Sequence, residues 1–226
     1  LKWLLRYLAN DPKNTVVIVS GRDRFMLKEW LGDLNLHLLA EHGLWVYHPG
    51  QNKWSMTTVL DNNWKDSVRH ILELFTDRMP GSFIEEKDYS LAWHYRQCEP
   101  DLVAVKLSEL RETLMSLIQS TTLGLQEGNK VLEIKDSRVN KGYVSSIFIQ
   151  NNSFDFVLGA GDDYTDEDLF LALPPSSFSI KIGIEHSHAK YHLKSWQSMR
   201  TILKRLVNIS TDMFRQGYYA DQSGDL

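Results

Sequence analysis

The densest chemistry in this 226-residue sequence lies in Phe156-Val157-Leu158-Gly159-Ala160-Gly161-Asp162-Asp163-Tyr164-Thr165-Asp166-Glu167-Asp168. An apolar stretch ends in Gly-x-Gly, and five carboxylates then fall within seven positions. Ligands of a parallel sheet bind at the carboxyl ends of its strands. Carboxylates crowded there repel one another unless a cation sits among them. An all-oxygen donor set suits Mg²⁺, which keeps several waters and meets phosphate oxygens. Asp162, Asp163 and Asp166 are therefore candidate metal ligands. A plainer alternative covers part of the run. Thr165 and Asp168 have the spacing of a capping box, and acids favour a first helical turn. That accounts for Asp166 to Asp168 but not for Asp162 and Asp163, which precede the cap.

Two more groups extend this chemistry. Ser20 directly follows the apolar residues 15–19. Its hydroxyl and the backbone N–H groups of Gly21 and Arg22 could hold a phosphate, and Gly21 lets the backbone come close. The same Ser-Gly pair is also a common plain turn. Lys141 stands between Asn140 and Gly142 at a helix start. It is either a solvated lysine or, beside a phosphate, an ammonium that offsets charge on a transferring group. Hydroxyl, lysine and metal carboxylates together make a phosphoryl-transfer site.

The elements that would position these groups follow from hydrophobic periodicity. Residues 1–9 read as a helix, 15–19 as a wholly apolar strand, and Phe25, Leu27, Trp30 and Leu31 as the apolar face of a second helix. Residues 36–40 read as a second strand. This α-β-α-β order is the signature of a doubly wound sheet. Residues 44–58 read as a hairpin. From about residue 61 the style changes to α-β-β-α-β-β. A helix presents Trp64, Val68, Ile71, Leu72 and Phe75 on one face. Residues 83–97 alternate so that Leu91, Trp93 and Tyr95 share one face and Ala92, His94 and Arg96 the other. A helix over about 101–120 and a second strand pair turning at Gly128-Asn129 complete the block. Strand–helix alternation then resumes, with strands at 154–158 and 178–182 and a last helix over about 195–206. The expected fold class is α/β. A core of residues 1–60 and 137–206 carries an inserted α+β cap, 61–136, and residues 207–226 form a flexible tail. Trp45, Trp54, Trp64 and Trp93 fit apolar faces and are expected to pack rather than to bind.

Composition narrows the classes. A hydrophobic fraction of 42% supports a real core, and a net charge of −4 gives no sign of nucleic-acid binding. No apolar run reaches the roughly 18 residues of a membrane span. Cys98 is the single cysteine, so no internal disulfide forms, and a reducing, cytoplasmic setting is expected. The chain opens on Leu1 inside a helical pattern, which reads as an excised piece of a longer polypeptide.

Six segments, in order, carry a resemblance. They are Val19-Ser20-Gly21-Arg22-Asp23, Ala40-Glu41-His42-Gly43, Ile84-Glu85-Glu86-Lys87, Trp93-His94-Tyr95-Arg96, Val139-Asn140-Lys141-Gly142 and Gly161-Asp162-Asp163-Tyr164-Thr165-Asp166-Glu167-Asp168. They resemble the trehalose-6-phosphate phosphatase family of the haloacid dehalogenase-like superfamily, over nearly all of residues 1–206. The resemblance implies a Rossmannoid parallel-sheet core with an inserted cap, and Mg²⁺-dependent hydrolysis of a sugar phosphate. It makes Ser20 and Lys141 the phosphoryl-binding groups and Asp162 the Mg²⁺ ligand, with Asp163 and Asp166 as further ligands or supporting acids. Gly21, Arg22 and Asn140 fall in motifs near the phosphate. Glu85, Lys87 and Glu133, all on cap strands, match the acids and lysine that hydrogen-bond sugar hydroxyls. Glu85 and Lys87 stand two residues apart on one strand face, which is equally the pattern of an exposed salt-bridge surface. The family's Asp-x-Asp-Gly-Thr segment, whose first aspartate attacks phosphorus, has no counterpart in this sequence and is expected upstream, on a central strand. The resemblance further implies a sugar-phosphate ligand and an upstream synthase domain or subunit. Its alternative is a phosphatase-like domain that senses ligand without turnover.

Overall fold

The computed structural model of the chain describes residues 1–207, so the tail expected at 207–226 lies, Val207 apart, outside the described residues. The N-terminal part is built on two parallel strands, β1 (Val17–Val19) and β2 (His37–Ala40), with α1 (Lys2–Asn10) before them and α2 (Arg24–Leu31) crossing between them. Helix α2 starts where it does because the Asp23 carboxylate accepts the N–H groups of Phe25 and Met26, both at 2.9 Å. That is a conventional N-cap. Leu36, Leu38, Leu39 and Ala40 are fully buried. Leu36, Leu38 and Ala40 pack with Leu5 and Ala9 of α1 and Leu27 of α2, and Leu39 packs with Val46 and Val144. The expected hairpin forms as β3 (Trp45–Tyr47) and β4 (Trp54–Met56), with β3 antiparallel to β2 and β4 antiparallel to β3.

A second parallel block has the order β11-β10-β9, from β9 (Leu158–Gly161), β10 (Phe178–Ile182) and β11 (Tyr191–Leu193). Helices α5 (Lys141–Gln150), α6 (Asp166–Ala172) and α7 (Trp196–Leu206) accompany it. One expectation fails here, and one strand had no expectation. The strand expected at 154–158 begins only at Leu158 and runs through the Gly-x-Gly, because its ladder with β10 pairs Leu158 with Phe178 and Gly161 with Lys181. Strand β11 was not legible. It is three residues long, flanked by Lys190 and Lys194, and exists because Ile180 to Ile182 pair with it.

Among the described residues no strand joins β1 to β9, although both run parallel to their own partners. Between them lies a slot of about 830 Å³ on the side of α1 and α7, and it continues toward α5 and α6. Val17 and Val19 line one side of the slot, and Leu158 and Ala160 the other. Ser145 Oγ is buried against it without a hydrogen-bond partner.

The middle of the chain folds as one antiparallel layer. Its sheet has the order β5-β6-β8-β7, made of β5 (Phe83–Glu86), β6 (Ser90–His94), β7 (Leu123–Gly128) and β8 (Val131–Asp136). Helices α3 (Lys65–Arg78) and α4 (Pro100–Ile118) cover one face. There Val68, Leu72, Phe75, Leu91, Trp93, Leu110, Leu114, Leu132 and Ile134 make a hydrophobic cluster of their own. Trp93 is fully buried and donates its indole N–H to Thr76 Oγ1 at 3.0 Å, so it packs as expected. The register puts Glu85, Ala92, Glu133 and Gln126 in one row across the sheet. Because alternate residues share a face, this row lies opposite the helices.

Candidate active site

Strand β1 ends at Val19, and the next residues turn sharply across the strand ends. Ser20 is held by its N–H to the Leu39 carbonyl at 2.9 Å, and Ser20 Oγ accepts the Arg22 N–H at 3.2 Å. The side chain of Arg22 lies back over the Trp30 ring, 4.7 Å from its centroid, so its guanidinium is directed along α2. After β9, Asp162 and Asp163 are exposed, whereas Asp166, at the start of α6, is buried. Ser20, Gly21, Arg22, Lys141, Asp162, Asp163, Asp166 and Glu133 all line one cleft of about 650 Å³. The slot between β1 and β9 opens into this cleft, and Val17 and Ala160 line both.

Lys141 and Asp166 form a buried pair at 2.8 Å. The second oxygen of Asp166 accepts the Asp163 N–H at 2.9 Å. Gly161 makes this possible, since a Cβ there would lie 2.2 Å from the Asp166 carboxyl carbon. Asp166, a candidate metal ligand, is thus already engaged by a lysine and a backbone donor. The capping box does not form either: Thr165 is helical and makes no side-chain cap. Among the described residues no group of three or more metal-binding side chains converges. Mg²⁺ needs only one or two carboxylates beside phosphate and water. Asp162 and Asp163 fit that requirement as a partial donor set.

Glu85, Lys87 and Asn140 do not reach the cleft wall. Asn140 accepts the Tyr143 N–H at 2.7 Å and so caps α5, which fixes the helix start that carries Lys141. Glu85 lies in the Glu133 row and pairs with His94 at 2.7 Å. Lys87 turns toward Glu133, with Nζ 3.1 Å from Oε1. Ser90 Oγ donates to the same oxygen at 2.7 Å, and His42 Nε2 lies 3.3 Å from Oε2. Burial pushes the Glu133 carboxyl up, but the His42 hydrogen bond, Lys87 and Lys135 outweigh it and hold the group far below the usual carboxylate range. Burial also lowers His42, against the pull of Glu133. Burial pulls Lys135 down to about 8, against the attraction of Glu133 and Asp168.

One matching family model describes these residues. It is the trehalose-phosphatase family, matched over residues 1–203. The chain belongs to the trehalose-phosphatase family. A bifunctional trehalose-6-phosphate synthase/phosphatase of Thermoproteus tenax is 36% identical over 203 residues, 90% of this chain and 28% of that protein. A trehalose-phosphatase of Schizosaccharomyces pombe is 37% identical, over 85% of this chain and 25% of its own length. The chain thus spans about a quarter of the length of these relatives. The C-terminal domain of C. albicans trehalose-6-phosphate phosphatase superposes with a TM-score of 0.85 at 28% identity, over 93% of this chain and 83% of that one. The α/β fold is shared with a solved sucrose-phosphatase from Synechocystis, at 18% identity and a TM-score of 0.57, and with a solved haloacid dehalogenase-like hydrolase from Bacteroides thetaiotaomicron, at 12% identity and a TM-score of 0.69.

Within this trehalose-phosphatase domain, sequence reasoning overlooked two residues of the site. Lys181 is almost fully buried and donates to the Asp162 and Asp163 carbonyls at 2.9 and 3.3 Å, and it stands 3.8 Å from Glu167 Oε1. It pins the loop that presents the candidate metal ligands. A charged residue alternating with Ile180 and Ile182 in a strand was its visible signal. His42, which lines the same cleft, is the other.

Proposed function

We propose that this domain hydrolyses trehalose 6-phosphate to trehalose and inorganic phosphate. The observation that carries the reading is a single cleft with phosphoryl-binding groups on one wall, Ser20, Gly21 and Lys141, and a charged acid, Glu133, on the other. A phosphoryl group would accept from Ser20 Oγ and the Gly21 N–H, and Lys141 would offset the charge that gathers on its oxygens. Glu133, with Lys87 and Glu85 beside it, would take sugar hydroxyls. Residues 61–136 would act as the cap and exclude water, closing over a core of 1–60 and 137–206.

The family resemblance implies the chemical steps. An aspartate oxygen bonds to phosphorus, the bond from phosphorus to the sugar oxygen breaks, and the second aspartate of Asp-x-Asp protonates the departing oxygen. Water then hydrolyses the acyl phosphate, with the same second aspartate as base. The slot between β1 and β9 would seat the strand that carries both aspartates, and its mouth opens beside Ser20 and Asp162. Asp162 and Asp163 would hold Mg²⁺, which supplies charge neutralisation to the phosphoryl oxygens. A synthase domain upstream and a cytoplasmic setting complete the reading. Among the described residues no helix is long and apolar enough to cross a membrane.

The test is phosphate release from trehalose 6-phosphate with Mg²⁺, in a protein extended upstream by one strand and its loop. Turnover that is lost in Asp162→Asn supports the reading, as does the absence of turnover in the unextended chain. Saturable binding without turnover in the extended protein replaces it with a sensing domain.

A further inference from the structure

The turn after β2 is unusual in its backbone. Glu41, His42 and Gly43 take φ of 50°, 58° and 101° in succession. Two adjacent non-glycine residues in the left-handed region are costly, and such strain persists only where surrounding contacts hold it. Here the Glu41 N–H donates to the Arg22 carbonyl at 3.0 Å and the His42 N–H to the Ser20 carbonyl at 2.9 Å. The turn is thereby zipped to the backbone of the Ser20–Arg22 loop.

The ring of His42 is buried and rests on that loop. A Cβ on Gly21 would lie 2.6 Å from His42 Nε2, so only glycine leaves room for it. From this seat Nε2 reaches Glu133 Oε2 on β8 at 3.3 Å, while Oε1 takes Lys87 and Ser90. Lys87 and Ser90 belong to the antiparallel layer itself. His42 comes from across the cleft, and both His42 and Glu133 line it. The proposed reaction gives His42 no part.

We infer that His42 is a positioning residue: it ties the phosphoryl-binding loop to Glu133 and so fixes the distance between the phosphate seat and the sugar-binding acid. The inference rests on the phosphatase reading above. A sugar phosphate is held at both ends, phosphate at Ser20 and hydroxyls at Glu133, so a fixed span favours substrates of matching length. A small aryl phosphate touches only the first end. His42 therefore contributes to selectivity for the sugar phosphate rather than to the transfer step.

The experiment compares kcat/KM for trehalose 6-phosphate and p-nitrophenyl phosphate in the upstream-extended protein. His42→Asn is the decisive variant, because asparagine tolerates left-handed backbone but is too short to reach Glu133. It is expected to lose at least tenfold more on the sugar phosphate than on the aryl phosphate. His42→Gln, which can again donate an N–H to Glu133, should recover much of that loss. The double variant His42→Asn/Glu133→Gln should be little worse on the sugar phosphate than Glu133→Gln alone, the non-additivity of a coupled pair. Equal losses on both substrates, or additive losses, would overturn the inference and leave His42 as support for the loop. If His42→Asn does not melt cooperatively, His42→Gly, which meets no steric penalty at this φ, takes its place. Failure of the unsubstituted protein on trehalose 6-phosphate would instead remove the phosphatase reading, and this inference with it.

Discussion

Lys141 and Asp166 are buried together, and each is the other's charge partner. Removing one member of such a pair leaves an uncompensated charge in the interior, which costs about 3–5 kcal/mol. Lys141→Met is expected to lose that order of stability in urea unfolding, whereas Lys141→Met/Asp166→Leu recovers most of it. In the upstream-extended protein phosphate release should be lost in both, because the ammonium beside the phosphate is gone. Glu41 supplies a pH dependence. Burial, with a smaller push from Asp88, raises its carboxyl from 4.5 to about 7, while Lys87 and Arg24 oppose the rise. The folded chain thus binds one proton more than the unfolded chain between these values, so this group's stabilising contribution is complete below pH about 4.5 and fades as pH rises through about 7. Glu41→Gln should flatten that part of the stability–pH curve measured by thermal melting. An unchanged slope would mean that Glu41 stays ionised in the fold. Glu41 and Lys141 differ in how readable they were. Both stood in segments that carry the resemblance, but only Lys141 took a role from it. The burial of Glu41 depends on layers that meet only in the folded chain.

At the scale of elements, the loop after β9 is shaped by its neighbour β10. Lys181 donates to two loop carbonyls, at 2.9 and 3.3 Å. Supporting residues of this sort tune a metal site by about 10–100-fold. Lys181→Met is expected to raise the Mg²⁺ concentration for half-maximal phosphate release by about tenfold, with a parallel weakening of Mg²⁺ binding in titration calorimetry. Unaltered Mg²⁺ dependence would show that the loop keeps its shape without the lysine. The antiparallel layer was legible almost residue by residue, because strict alternation over 83–97 put Leu91 and Trp93 inside and His94 outside. Strand β9 was misplaced by the same kind of reading. The apolar residues before Leu158 looked like strand, and the glycines looked like its end. Small glycines instead let the ladder continue while the Asp166 carboxyl packs against Gly161 and the Leu173 side chain against Gly159.

For the molecule as a whole, the open slot between β1 and β9 is the dominant feature. Its walls include Val17, Ile18, Leu158 and Ala160, apolar groups that a central strand would remove from water. Burying apolar surface contributes roughly 25 cal/mol per Å². The upstream-extended protein is therefore expected to melt several degrees higher than the 226-residue chain and to bind less of a hydrophobic dye. Equal melting temperatures and equal dye binding would mean that the added segment does not enter the slot.

The sequence by itself determined the α/β class and the identity of most side chains that meet in the cleft. Those features are local: periodicity marks a face, and a motif marks a strand end. Only the tertiary structure decided what each polar group is free to do. Asp166 and Asn140 had the right chemistry for ligands, but Lys141 and the Tyr143 N–H already engage them. His42 stood in a segment that carried the resemblance but drew no role from it, yet it bridges the loop at Ser20 and the acid at Glu133. The reason is physical. Hydrogen bonds and ion pairs between residues far apart in sequence depend on how layers pack, and no short stretch of chain encodes that packing.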